Sequence, residues 1–273
     1  MKRVMIHHNY KPESLGAKKN LIRLLKQKHF IIVDHRPELI IVIGGDGTML
    51  SAVRTHRELH VPFIGINTGS LGFLPTVGPT ELEGLVNSLI KKDYQIQNYP
   101  LLKVTCATVN GNTVVNYAFN EILIKHLEPR LMEVKLFINN KPFNYFTGDG
   151  FIISTPIGAT GYAIWAGGVA THSELPVYQV TPLNPNDNSI NRPLKTSMVV
   201  PMDTVFDFKV VKAKSREVIV ACDGAKVSND YISELNVCVA DDSIKILRLS
   251  EFDYYEFYRS KIIDKNISRS LDD

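Results

Sequence analysis

The fold is decided by residues 39–50, Leu39-Ile40-Ile41-Val42-Ile43-Gly44-Gly45-Asp46-Gly47-Thr48-Met49-Leu50. Five consecutive aliphatic residues read as a strand buried on both faces, the mark of a parallel sheet. The strand stops abruptly in glycines, and Met49, Leu50, Ala52 and Val53 follow at helical spacing. Strand, glycine turn and helix together aim backbone N–H groups and a helix N-terminus at an anion. Asp46 is the unusual member. Neither the lysine-bearing phosphate loop nor the dinucleotide glycine fingerprint occurs in the chain. A carboxylate beside phosphate repels it, unless it holds a metal or takes a proton from an incoming hydroxyl. Three glycines around Asp46 exceed what a simple Asp-Gly turn needs, so the stretch reads as functional.

On the N-terminal side, residues 4–7 and 31–33 read as strands. Between them Ser14 reads as the N-cap of a helix whose stripe is Ala17, Leu21, Leu24 and Leu25. On the C-terminal side the helix after the turn extends to about Glu58, and Pro62-Phe63-Ile64-Gly65-Ile66 is another buried strand. A second glycine-rich turn follows, with Asn67, Gly69, Leu71, Gly72 and Phe73. Thr80 and Glu83 form a capping box for a helix facing Leu82, Leu85, Val86, Leu89 and Ile90 inward. Strands alternating with helices predict a parallel-sheet α/β nucleotide-binding domain over residues 1–99.

The pattern changes at Tyr99-Pro100. Asn110-Gly111, Asn139-Asn140 and Asp223-Gly224 each separate β-rich runs and read as hairpin turns. The single helix in this half is expected to start near Thr160 and end at Gly167-Gly168. Residues 100–249 therefore read as a mainly antiparallel, β-sandwich-like, all-β domain. Helix-like pieces in the tail, 250–273, are the candidate completion of the first domain.

Composition narrows the function classes. The chain has 273 residues, 44% hydrophobic and 22% charged, with a net charge of +3. That balance gives no reason to expect nucleic acid as a partner. Cys106, Cys222 and Cys238 lie in strand-like runs without metal-type spacing and read as buried free thiols. No run is long enough to span a membrane, and the expected location is the cytoplasm. The eight histidines show no metal-ligand or triad spacing.

Two further constellations could carry chemistry. Asn120-Glu121 closes an apolar strand, where a carboxamide and a carboxylate can read a purine edge or a ribose hydroxyl. Gly148-Asp149-Gly150 leads into Ser154-Thr155-Pro156-Ile157-Gly158-Ala159-Thr160-Gly161-Tyr162. Small and hydroxyl residues around glycines let a ligand approach the backbone and offer donors to it.

With these motifs in view, the sequence resembles the bacterial NAD kinases. The match rests on Gly44-Gly45-Asp46-Gly47-Thr48, Asn67-Thr68-Gly69 with Leu71-Gly72-Phe73, Asn120-Glu121, Gly148-Asp149-Gly150, Ser154-Thr155-Pro156, and Thr160 with Tyr162. Diacylglycerol and sphingosine kinases share only the first of these motifs. The resemblance implies transfer of a phosphoryl group from ATP or polyphosphate to the 2′-hydroxyl of NAD's adenosine ribose, a magnesium-type cation, and a homo-oligomer, tetramer or dimer. It implies that Asp46 faces that hydroxyl, and that Gly44, Gly45, Gly47, Thr48 and Asn67 surround phosphate. Phe73, Asn120, Glu121 and Thr160 would contact the adenine side, while Asp149 and Tyr162 line the rest of the dinucleotide, with Ser154 in the same binding loop.

The chain departs from the family's usual run at Ile157, Ala159, Gly161 and Trp165. Two readings of Trp165 follow. As the sole tryptophan it is ordinary core, or it leans into the space freed at Gly161 and joins the wall of the NAD pocket. The rival functions are a lipid kinase built on the shared glycine motif and a non-catalytic dinucleotide sensor.

Overall fold

A computed structural model describes residues 2–69, 72–187, 192–215, 217–250 and 253–263. The chain divides into two units, Met1–Asn98 with Ile244–Asp273, and Tyr99–Ser243.

The first unit contains β1 (Arg3–His8), α1 (Pro12–Gln27), β2 (Ile31–Ile32), β3 (Leu39–Ile43), α2 (Asp46–His56), β4 (Phe63–Ile66) and α3 (Leu82–Lys91). Its strands run parallel in the order β2-β1-β3-β4. Beyond β4 the sheet is extended by the last residues of a long strand, Ile246 pairing with Phe63. Every residue of β3 is buried. Leu39, Ile41 and Ile43 form one core with Leu21, Leu25, Leu85 and Leu89 of α1 and α3. Ile40 and Val42 alternate to the opposite face, and α2, buried through Met49, Ala52 and Val53, packs on β3 and β1. A strand covered on both sides must be aliphatic throughout, which explains the run from Leu39 to Ile43.

Several local expectations are corrected here. Helix α1 begins at Pro12, with Lys11 at the N-cap position. Ser14 lies inside the helix, fully buried, its hydroxyl 2.6 Å from that of Thr68. No capping box forms at α3. Its N-cap is Glu81, whose carboxylate instead accepts from the Gly78 N–H. Ile90 points outward and is half-exposed. The tail holds a short helix, and half of its residues, 251–252 and 264–273, lie outside the described residues.

The second unit is a two-sheet antiparallel sandwich. Its strands are β5 (Tyr94–Thr108), β6 (Thr113–Ala118), β7 (Glu121–His126), β8 (Met132–Ile138), β9 (Lys141–Gly148), β10 (Gly150–Ser154), β11 (Val177–Leu183), β12 (Met198–Pro201), β13 (Phe206–Val210), β14 (Val218–Cys222), β15 (Ala225–Lys226) and β16 (Ile232–Leu249). One sheet runs β12-β11-β10-β7-β14-β15; the other contains β5, β6, β16, β13, β8 and β9. Inward residues of both sheets share one core, including Leu102, Val134, Phe206 and Phe208 with Ile122, Phe151, Tyr178 and Val220. Asn139 and Asn140 are both left-handed, at φ 50° and 62°, and join β8 to β9 as their sequence predicts. Ile232–Leu249 is one continuous strand, β16. Cys106 and Cys222 are buried free thiols, while Cys238 is only partly covered.

Candidate active site

The first unit sets the glycine turn where its sheet reverses direction. From β1 the chain steps one way to β2 and the other way to β3. Open α/β sheets bind ligands outside the carboxyl ends of the strands at such a point. Here those ends carry Asn9, after β1, and Gly44 to Thr48, after β3. Asn9 Nδ2 donates to Thr48 Oγ1 over 3.1 Å, tying the two loops together. Glycine at 44 is a packing requirement, because a Cβ there would lie 2.2 Å from Thr48 Oγ1. At Gly45 and Gly47 an added Cβ would meet nothing within 4 Å. The fold does not need glycine at these two positions. What their missing side chains leave is open approach to the first amides of α2, which have no intrahelical acceptor.

Asp46 is the first residue of α2. Its Oδ1 accepts from the N–H groups of Phe73 and Leu74, both at 2.9 Å, and its Oδ2 from Phe73 at 3.0 Å. A Cβ on Gly72 would come within 3.1 Å of Oδ1, so glycine lets the second turn close on the carboxylate. Asn67 shapes that turn by accepting from the Gly69 N–H at 3.0 Å. Asp46 and Phe73, far apart in sequence, are thereby brought together; Ser70 and Leu71 lie outside the described residues.

In the second unit Asn120 and Glu121 stand at the break between β6 and β7 rather than at the close of a strand. Ser154 pairs with Glu121 across β10 and β7, which places both side chains on one face. Asn120 Oδ1, Glu121 Oε2 and Ser154 Oγ are all buried without a hydrogen-bond partner. Orphaned buried polar atoms each cost about 1–3 kcal/mol, so this group is a candidate ligand-binding site. Burial, reinforced by the Asp223 charge, pushes the Glu121 carboxyl up to about 7.

The loop after β10 is stitched to this group by Thr155. Its Oγ1 donates to the Phe119 carbonyl at 2.7 Å, and its N–H to the Asn120 carbonyl at 2.9 Å. Gly158 then packs directly on the chain, for its Cβ would fall 2.1 Å from the Asn120 carbonyl oxygen. Residues 157–160 form a 3-10 turn and the α-helix, α4, is only Tyr162–Trp165. The expected start near Thr160 is thus two residues early, and Gly161 is the N-cap. A Cβ at Gly161 would lie 3.1 Å from Glu121 Oε2 and 3.6 Å from Asn120 Nδ2. The space beside Gly161 therefore faces the polar group. The indole is not among the atoms nearest to it. Trp165 is 74% exposed and is not core; Tyr162, one turn earlier, is 48% exposed.

Asp149 is not gathered with these residues. It precedes β10, whose other end is Ser154, and it accepts from Asn184 Nδ2 at 2.7 Å. Five residues of strand separate the two by roughly 17 Å. Sequence reading also missed Asn9 and the side chain of Asp223, which caps the amides of Phe119, Asn120 and Glu121. Asn9 carries a weak signal as the first polar residue beyond His8; the role of Asp223 carries none. A groove of about 430 Å³ on the second unit, lined by Thr105, Phe137, Asp207, Lys209 and Glu234, includes none of the candidate residues.

Among the described residues no group of three or more His, Cys, Asp or Glu gathers to hold a metal ion. No helix among them is long and apolar enough to cross a membrane.

Family models of the ATP-NAD kinase N-terminal and C-terminal domains match residues 9–94 and 119–256. The NAD kinase of Leuconostoc mesenteroides is 30% identical over 265 residues, 96% of this chain and 99% of that one. The NAD kinase of Lacticaseibacillus paracasei is 30% identical over 257 residues, 93% and 96% of the two chains. In fold, the chain is similar to yeast NADH kinase complexed with NADH, with a TM-score of 0.83 at 18% identity over 100% of this chain and 90% of that one. It is also similar to an NAD kinase from Archaeoglobus fulgidus in complex with ATP, with a TM-score of 0.72 at 24% identity over 94% and 96%. Both halves of the chain, the glycine turn in one and the buried polar group in the other, thus fall within one family: the protein belongs to the ATP-NAD kinases.

Proposed function

We propose that the protein transfers the terminal phosphoryl group of ATP to the 2′-hydroxyl of NAD's adenosine ribose, with Asp46 as general base. The observation that carries this reading is the Asp46 carboxylate, oriented by the amides of Phe73 and Leu74 at the start of α2. The hydroxyl proton passes to Asp46 as the ribose oxygen bonds to the γ-phosphorus. The bond from that phosphorus to the β–γ bridging oxygen breaks, and ADP leaves. Such a transfer needs in-line positioning and neutralised charge rather than covalent catalysis. The amides of Gly45 and Gly47 and the Thr48 hydroxyl supply donors for phosphoryl oxygens, and Asn67 borders them.

A divalent cation fits as part of the substrate, carried in on the phosphates. Magnesium keeps several waters and needs few protein ligands beside phosphate oxygens, and the turn offers it the single carboxylate of Asp46. The second unit recognises the nucleoside. Asn120 Oδ1, Glu121 Oε2 and Ser154 Oγ pair with adenine and ribose donors and acceptors, with Thr160, Gly161 and Tyr162 beside them. Phe73 adds an apolar contact. Asp149 and Trp165 take the outlying positions of the dinucleotide, and the working form is a homo-oligomer.

Purified protein given ATP, magnesium and NAD is expected to form NADP and to leave diacylglycerol untouched. Lipid phosphorylation without NADP would overturn the reading, and saturable NAD binding without turnover would strip Asp46 of its role. Replacing ATP with polyphosphate tests the donor, and light scattering tests the assembly.

A further inference from the structure

Asp223-Gly224 is a hairpin turn, as its sequence predicts, but its side chain does more than the hairpin requires. Both residues are left-handed, at φ 47° and 76°, and Cys222 stands opposite Ala225 across the turn. Asn-Gly or Gly-Gly would serve this geometry equally well. The carboxylate leaves the turn and meets three consecutive amides on a remote stretch of chain. Oδ2 accepts from Phe119 at 2.7 Å, and Oδ1 from Asn120 at 2.8 Å and Glu121 at 3.1 Å. In return the Asp223 N–H donates to the Glu121 carbonyl at 3.0 Å.

Thr155 holds the same stretch from its carbonyl side. Residues 119–121 are thus clamped on both edges. What the clamp presents is Asn120 Oδ1 and Glu121 Oε2, buried and unpartnered. An acid is a costly choice for this task, because its charge acts on Glu121 in the direction that disfavours ionisation. The Cys222 thiol, next in the chain, is held protonated by burial and adds no charge. Only a carboxylate, an acceptor at both oxygens, can satisfy all three amides together.

We propose that Asp223 is a positioning residue for NAD, fixing the backbone from which Asn120 and Glu121 reach the nucleoside while touching no substrate itself. This rests on the assignment of Asn120 and Glu121 to NAD. The test uses Asp223→Asn and Asp223→Gly, both compatible with the turn. The KM for NAD should rise about tenfold or more in each, the scale of losing a charge-assisted hydrogen bond. The kcat and the KM for ATP should change far less.

A second readout is pH. The inflection of KM for NAD that vanishes in Glu121→Gln should move to lower pH in Asp223→Asn, because a like charge has gone. An unchanged KM and an unmoved inflection would overturn the proposal. So would loss of folding in both variants, which would make the carboxylate a support of the fold alone. The two assignments fail separately. A Glu121→Gln enzyme with wild-type KM for NAD sinks the role of Glu121, whereas a weakened Glu121→Gln beside an unaffected Asp223→Asn sinks only Asp223.

Discussion

Replacing Asp46 with asparagine separates chemistry from architecture, and the structure says how. Oδ1 alone serves both Phe73 and Leu74, each at 2.9 Å, and an amide oxygen in its place keeps both bonds. The hydrogen bond that disappears runs from the Phe73 N–H to Oδ2, at 3.0 Å. One such bond contributes about 0.5–1.5 kcal/mol, or somewhat more with a charged acceptor. In a unit of this size that lowers the melting temperature by only about 2–8 °C. Catalysis should suffer far more. Asparagine cannot take the hydroxyl proton, and a general base contributes about 10²–10⁴-fold in rate. The barrier therefore rises by about 3–5 kcal/mol, at 1.36 kcal/mol for each tenfold. A coupled assay of NADP formation, with the melting curve taken alongside, should show kcat down at least about 100-fold and KM for NAD nearly unchanged. Near-wild-type turnover in a folded Asp46→Asn enzyme would refute the role of Asp46.

Gly44→Ala drives a methyl group to 2.2 Å from Thr48 Oγ1 and should lower stability by about 1–3 kcal/mol. Gly45→Ala has room and should leave the melting curve in place while raising the KM for ATP; equal melting shifts in the two variants would sink this distinction. His7 and His56 stand 3.3 Å apart, nitrogen to nitrogen. Burial, with His56 and His8 beside it, holds His7 below the ordinary value of 6.5, and burial lowers His56 likewise. The unfolded chain then takes protons that the native state refuses, so the pair's contribution is complete above pH 6.5 and is lost as pH falls through the lowered values. Denaturant melts from pH 8 to 5 should show a flatter acid limb in His7→Gln/His56→Gln, and an identical limb would refute the linkage. Gly161→Ala should weaken NAD binding by displacing Glu121, and Trp165→Ser, at an exposed site, should change stability by less than about 0.5 kcal/mol. Isothermal titration and melting curves check both; a large destabilisation in Trp165→Ser would return the indole to the core.

The parallel half was legible because its periodicities are local. A strand covered on both faces must be aliphatic, and a glycine turn must follow where α2 starts. The capping expectations failed for a tertiary reason. Ser14 is spent on Thr68 inside the helix, and at α3 the N-cap position falls on Glu81, which turns back to Gly78, so Thr80 is not at the cap that its pairing with Glu83 requires. The start of β7 at Glu121 was not readable from the run around it. The chain breaks at Asn120 because Asp223 and Thr155 hold it there from a distance. Trp165 misled for a simpler reason. Size and rarity favour burial on average, yet a helix of only four residues, Tyr162–Trp165, has little inward face to offer.

The return of the chain through β16 bears on how the protein is made. The first unit closes only when Ile246 reaches Phe63, roughly 180 residues later in synthesis. At about 5–20 residues per second a ribosome needs on the order of 10–35 s for that stretch. Val77 covers the outer edge of β4 at Gly65 and Asn67, but Phe63 waits for its neighbour while Tyr99–Ser243 is still emerging. Bare parallel edges pair with whatever strand is at hand. A nascent chain that stalls before Ile244 would carry the glycine turn on an unfinished sheet, and that is the point at which a holding chaperone has most to offer.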